Sequence, residues 1–346
     1  MKFTSEDMIK GLFLEPAPSN PYYIVSHAYT RKSAGIKVLH LLCDALNRCG
    51  KKAYLIVYPQ FNFVSSTSPH LYTPLLTNVQ ILSDFERGLT PITIYPEVIG
   101  KNIFSSPVAF EYLLNFKGVL GLGSTNYDLP QIAYSEQIRL KSSKVSMNLF
   151  IPTSDPRVYH PPKKELVRQG IYYYAAKYQS LFGKLKSPPE PNAIEIIRNG
   201  LGSQTVEELV NIYQTARRIY VYENTAVATE AAMCGCPVVF MPSEFLEANI
   251  TKDELGADGM AWGRDAAEIE KADKTVHNFY GNYLASYARS EQQLQAFIEY
   301  TQTVASAMKY DHCVSIPHLT VIDAWLRLLG LTYGFAQRLR YRLSQF

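Results

Sequence analysis

Apolar positions along the chain fall into short runs separated by polar turns, and two spacings alternate. Residues 21–26 (PYYIVS) form a compact β-rich run. After a polar turn at 27–33, the segment 34–49 carries Ile36, Leu39, Leu42, Cys43 and Leu46 at helical intervals. Gly50 ends that helix, and residues 53–58 (AYLIVY) form the next strand. The chain therefore opens as a strand, helix, strand unit. Further strands are predicted at 91–95, 118–122 and 145–151, with a helix at 108–115.

Residues 152–164 (PTSDPRVYHPPKK) interrupt this rhythm with Pro152, Pro156, Pro161 and Pro162, and a hinge between two domains is expected there. The pattern then resumes. A strand is predicted over 170–178 (GIYYYAAKY), a proline-rich loop at 187–191 and a short strand at 194–197 (IEII). Thr205 and Glu208 form a T-x-x-E capping box ahead of a helical stripe at Leu209, Ile212, Tyr213 and Ala216. Two doubly wound α/β domains are expected, at 1–158 and 165–320, with a helical tail at 321–346.

The most informative run is 219–242 (IYVYENTAVATEAAMCGCPVVFMP). A strand at 219–222 ends in polar residues, an Ala-rich helix starts near Ala226, Gly235 stops it and a strand follows at 238–241. Asn224 or Thr225 can cap the helix, leaving its first N–H groups to face an anion such as a diphosphate. Glu230, about one turn further on, can only accept hydrogen bonds when ionised, which suits the paired hydroxyls of a ribose. Against this stands a plainer reading: any such crossover needs a cap, small packing residues and a glycine stop.

The stretch 230–239 (EAAMCGCPVV) resembles the donor-nucleotide motif of GT-B glycosyltransferases, especially the retaining enzymes of glycosyltransferase family four. That family places seven residues between a first Glu and the second; here six residues separate Glu223 from Glu230. The resemblance implies a GT-B fold of two Rossmann-like domains facing a cleft. It also implies a nucleotide-diphosphate sugar held mainly by the second domain, retention of configuration and no metal. Lys177 and Lys184 fall where the family carries an Arg and a Lys on the donor diphosphate, and Glu223 falls where it contacts the donor sugar. In the first half, Gly35 opens the first helix beside the implied cleft, and His27 ends the first strand. YPEVIGKN at 95–102 is similar to a Y-P-E-x-x-x-x-N pattern of bacterial glycosyltransferases and makes Glu97 a candidate for orienting a sugar hydroxyl or assisting an acceptor. Each residue keeps its plain alternative: surface charge for the lysines and Glu97, packing for Gly35, a structural role for His27.

Composition narrows the classes. At 346 residues and 47% hydrophobic content the chain can bury two cores, and a net charge of +3 gives no reason to expect nucleic acid. Cys43, Cys49, Cys234, Cys236 and Cys313 contain no C-x-x-C pair and read as reduced thiols of a cytoplasmic protein. Glu6 and Asp7 within the opening residues argue against a signal peptide. The G-x-G of residues 119–125 lacks the third glycine and the acid of a dinucleotide site, and no D-x-D motif or His/Cys cluster offers a metal site. No cofactor is expected beyond the nucleotide-sugar substrate, with a glycan or lipid-linked acceptor by resemblance. The 25 tyrosines suit a sugar platform or strand packing. The tail at 321–343, with Arg327, Arg338, Arg340 and Arg342, can lie on the inner face of the cytoplasmic membrane or pack back on the first domain. Two other functions fit the same motifs: a non-hydrolysing nucleotide-sugar epimerase, and a non-catalytic nucleotide-sugar-binding partner of a glycan assembly complex.

Overall fold

The computed structural model describes residues 19–58, 66–99, 101–116, 129–164, 166–198, 200 and 202–316. Two parallel sheets organise them. The first joins β1 (Tyr22–Ser26), β2 (Ala53–Val57), β3 (Ile92–Pro96), β4 (Val108–Leu113), β5 (Gln131–Ala133) and β6 (Val145–Asn148) in the order β2-β1-β3-β4-β5-β6. The second joins β7 (Ile171–Tyr174), β8 (Ile194–Glu195), β9 (Arg218–Val221), β10 (Val238–Phe240) and β11 (Met260–Trp262) in the order β11-β10-β9-β7-β8. The helices are α1 (Ala34–Arg48), α2 (Asn78–Glu86), α3 (Glu136–Arg139), α4 (Ala176–Phe182), α5 (Val206–Thr215), α6 (Ala226–Met233), α7 (Lys252–Leu255) and α8 (Ala266–Ser306). This is the doubly wound α/β architecture in two copies.

Strand β1 is buried on both faces, as a central parallel strand must be when helices cover both sides. Tyr22 and Ile24 meet the α1 stripe of Leu39, Leu42, Cys43 and Leu46, while Tyr23 and Val25 face Ile81 of α2 on the other side. In the second sheet, Ala228, Ala231, Ala232 and Met233 of α6 join the same core as Ile219, Val221 and Val238. Small residues let that helix lie close to its strands. The capping box at Thr205 forms as read: its Oγ1 accepts from Glu208 N at 3.2 Å, and Glu208 Oε2 accepts from Thr205 N at 2.7 Å.

The helix expected at 108–115 is instead β4, paired in register with β3 from Ile92↔Val108 to Pro96↔Tyr112. All six of its residues are buried, so the run shows no alternation, and a short continuous apolar stretch does not reveal its own period. Glu111 within it accepts a hydrogen bond from Gln131 Nε2 at 2.7 Å. The strand expected over 170–178 ends at Tyr174 and gives way to α4. Strands β5 and β11 and helix α2 carried too little pattern to be predicted. The strand expected at 118–122 and the tail at 321–346, with its membrane and packing alternatives, lie outside the described residues.

The 41-residue α8 joins the two sheets. Its start packs against the second core through Ala272, and its later turns lie on the first. Tyr283 Oη binds both the N and O of Ser154, Gln293 Oε1 accepts from Phe150 N at 2.7 Å, and Thr301 Oγ1 lies 2.8 Å from Tyr22 Oη. The end of α8 thus belongs with the first sheet, although the sequence reading assigned everything to residue 320 to the second half. A second bridge joins α3 to α7, where Glu136 N donates to Glu254 Oε1 at 2.7 Å and Gln137 Nε2 to Asp253 Oδ2 at 2.6 Å.

Candidate functional site

In both sheets the strand order reverses beside the first strand of the unit, between β1 and β3 and between β7 and β9. Loops leaving the carboxyl ends of those strands diverge to opposite faces, and a crevice opens between them. The two crevices face one another across a cavity of about 320 Å³. His27 after β1, Glu97 after β3 and Leu114 after β4 form its wall on one side; Lys177 after β7 and Asn224 after β9 form it on the other. Thr153, in the connection between the sheets, also lines the cavity.

Two helix N-termini converge on this cavity. At α1, Ser33 is the N-cap, accepting from Ile36 N at 3.4 Å, and Ser33, Ala34, Gly35 and Ile36 line the wall. At α6, Thr225 is the N-cap, accepting from Val227 N at 3.3 Å, and Thr225, Ala226 and Ala228 line the wall. Each helix start carries partial positive charge and N–H groups without intrahelical partners. Lys177 adds a full charge, its Nζ lying 3.3 Å from Asn224 O. The combination could seat an anion between the two sheets. Gly35 supplies space rather than a special backbone: an added Cβ would sit 3.5 Å from Leu114 Cδ1, an ordinary contact.

The structure brings His27, Gly35, Glu97, Lys177, Asn224, Thr225 and Ala226 to the cavity wall, but not Glu223, Glu230 or Lys184. Lys184 is exposed, beyond the end of α4. Glu223 is buried behind Lys177, and its Oε2 accepts from Lys177 N at 2.5 Å and Tyr178 N at 3.2 Å. It thereby caps α4, whose own N-cap Ala175 has no side-chain acceptor. Burial raises its pKa, with the Lys177 charge and the two N–H groups pulling it down. Glu223 positions Lys177 instead of reaching into the cavity. The Asn224 side chain is also engaged, accepting from Ile250 N at 3.1 Å and donating to Ala248 O at 3.0 Å. That fixes the loop carrying the wall residues Ile250 and Thr251.

Glu230 is fully buried, one residue beyond the wall residue Thr229. Arg198 Nη1 lies 3.2 Å from its Oε2, and Lys37 Nζ lies 3.7 Å from its Oε1. The expected open carboxylate is therefore closed off by two cations, because an ionised group inside an apolar helix face must be matched by opposite charge. Sequence reading missed both partners. One signal existed for Lys37: a lysine in the first turn of a helix opposes the dipole and needs a reason to be there.

Glu97 Oε2 accepts from Leu114 N at 3.1 Å. Burial pushes its carboxyl up to about 7, with Glu111 adding to the rise and Lys177 opposing it. His27 is exposed at the mouth, and its backbone carbonyl accepts from His40 Nε2 at 3.0 Å. Burial lowers the pKa of His40, and its hydrogen bond to His27 opposes the shift. The Glu97 shift sets a sign. The native carboxyl, titrating near about 7, keeps a proton that the unfolded chain has already lost. Stability therefore falls as pH rises from roughly 4.5 to 7 and levels off above that. Urea denaturation of Glu97→Gln across this window is expected to give a flatter pH dependence than the parent chain. Parallel curves would show that Glu97 titrates normally.

No family model and no curated protein sequence matches the chain. Among solved structures it is similar to AviGT4, a glycosyltransferase involved in avilamycin A biosynthesis (13% identity, 85% of this chain and 100% of that one, TM-score 0.41). It is also similar to WaaG, a glycosyltransferase involved in lipopolysaccharide biosynthesis (10% identity, 83% and 100% covered, TM-score 0.41). A third is a glycosyltransferase from Rickettsia africae (10% identity, 91% and 100% covered, TM-score 0.40).

Proposed function

We propose that this chain is a GT-B glycosyltransferase that moves a sugar from a nucleotide-diphosphate donor to a glycan or lipid-linked acceptor. The observation that carries the reading is the convergence of two helix N-termini and Lys177 on one cavity between two parallel sheets. Such a seat neutralises a diphosphate, and its value is greatest as the sugar–oxygen bond breaks and charge accumulates on the departing group. In this reading Thr225, Ala226 and Lys177 hold the diphosphate, Glu230 takes the ribose hydroxyls and Gly35 leaves room for the phosphates. Glu97 and His27, on the opposite wall, meet the acceptor hydroxyl. The resemblance of 230–239 to family-four enzymes supports retention of configuration and transfer without a metal, and an acceptor in surface polysaccharide assembly at the inner face of the cytoplasmic membrane. No helix among the described residues is long and apolar enough to cross a membrane, so such contact would be peripheral.

A thermal-shift screen of UDP-, GDP-, ADP- and CMP-linked compounds tests the reading. One nucleotide class is expected to raise the melting temperature, since a ligand at a hundred times its Kd adds about 2.7 kcal/mol to native stability. A chain that none of them stabilises does not use this cavity for a nucleotide donor.

A further inference from the structure

Lys37 occupies an unfavourable position in three respects. It lies in the first turn of α1, at the positive end of the helix dipole; it is 7% exposed; and Arg198 and Arg31 add like charge. Burial and those cations lower its pKa, and Glu230 is the group that raises it. Lys37 and Arg198 thus share one carboxylate. The pair itself is loose: at 3.7 Å it is beyond hydrogen-bond reach, and Glu230 Oε1 accepts no hydrogen bond, whereas a tight charge-assisted contact closes to roughly 2.7–2.9 Å.

The position of the pair is equally informative. Lys37 follows the wall residue Ile36, Glu230 follows the wall residue Thr229, and Lys37 Nζ donates at 3.2 Å to the carbonyl of Thr153, which is itself in the wall. The surplus positive charge therefore lies directly behind the seat assigned to the diphosphate. We infer that Lys37 is a donor-binding residue that changes partners, giving up Glu230 to the ribose of the nucleotide and turning its ammonium to the diphosphate. The inference rests on the nucleotide-donor reading above and extends it. A cation from the first sheet joins Lys177 from the second, so that one diphosphate is gripped from both sides of the cleft. A dianion relieves the excess charge, and the ribose hydroxyls replace a pair that had no hydrogen bond.

Two opposing effects follow from removing the ammonium, and together they give a signature. In Lys37→Met, Glu230 remains paired with Arg198 but is released on its other oxygen, so a nucleoside lacking phosphate binds at least as tightly as before. The matching nucleoside diphosphate loses a charge-assisted contact and binds roughly tenfold to a hundredfold more weakly. Calorimetry with both probes, using the base found in the screen, reads the ratio of the two affinities. That ratio is expected to fall by at least about tenfold in Lys37→Met and in Lys37→Gln, which offers a second uncharged variant if the first folds poorly, and to hold in Lys37→Arg. A purely structural lysine would weaken both probes in parallel or neither, and either result overturns the inference while leaving the donor reading intact. If the parent chain binds no nucleoside diphosphate at all, the donor reading fails and this inference with it.

Discussion

Glu230→Ala is expected to destabilise the protein by about 3–5 kcal/mol, the scale for removing one partner of a buried ion pair and leaving the other without compensation. Arg198 and Lys37 are 8% and 7% exposed, and Glu230 is the carboxylate that faces both. Without it, two cations from different sheets face one another inside the protein and drive the sheets apart. Lys37→Met acts in the opposite sense, since it removes one of the surplus positive charges, and is expected to change stability far less. Chemical denaturation of the two variants side by side tests this asymmetry. Equal and small losses would show that water reaches the cluster and screens it. The same alanine variant should also lose nucleoside affinity, since a carboxylate accepting from ribose hydroxyls contributes about 1.5–3 kcal/mol per charged hydrogen bond.

Lys177→Ala is expected to slow sugar transfer by roughly a hundredfold to a thousandfold, the cost of losing one preorganised group aimed at developing charge. The side chain is held in advance. Glu223 fixes the backbone of Lys177 and Tyr178 at the start of α4, and the Asn224 carbonyl holds Nζ at 3.3 Å. Little reorganisation is then needed when a diphosphate arrives. Lys184, the other lysine singled out by resemblance, is exposed and absent from the wall, so Lys184→Ala should leave kcat within about a factor of two, as for an isolated surface charge. Initial rates at saturating donor, with the denaturation midpoint as a fold control, separate the two. Comparable losses in both variants would mean that the loop after α4 closes over the donor.

What could be read in advance was local. The α1 stripe, the Gly50 stop, the Thr205 box and the strand, helix, strand unit around Thr225 each depend on residues within a few positions of one another. Gly35, Thr225, Ala226, Glu97 and His27 follow from the same logic, because ligands meet doubly wound sheets at the ends of strands and the starts of helices, whereas Lys177 was singled out by family resemblance alone. Residues 108–113 failed for a physical reason: a strand covered on both faces has no polar face to mark its period. The partners of Glu223 and Glu230 within the protein were hidden for another reason. The residue type and spacing of the two acids suggested ligand contacts, while their surroundings were set by Lys177, Arg198 and Lys37, none of them close in sequence.

The chain's own order of apolar and polar residues settled the doubly wound class, the β1, α1, β2 opening and the capped start of α6, since propensity, period and capping act over a turn or two. Only the tertiary structure decided which charges meet. It brought Lys37 of α1 to Glu230 of α6, hid one carboxylate behind a lysine it was expected to accompany, and enclosed the other between cations from both sheets. Electrostatic partners are chosen by distance in space and by the polarity of what lies between them, and neither quantity exists until the two sheets have come together.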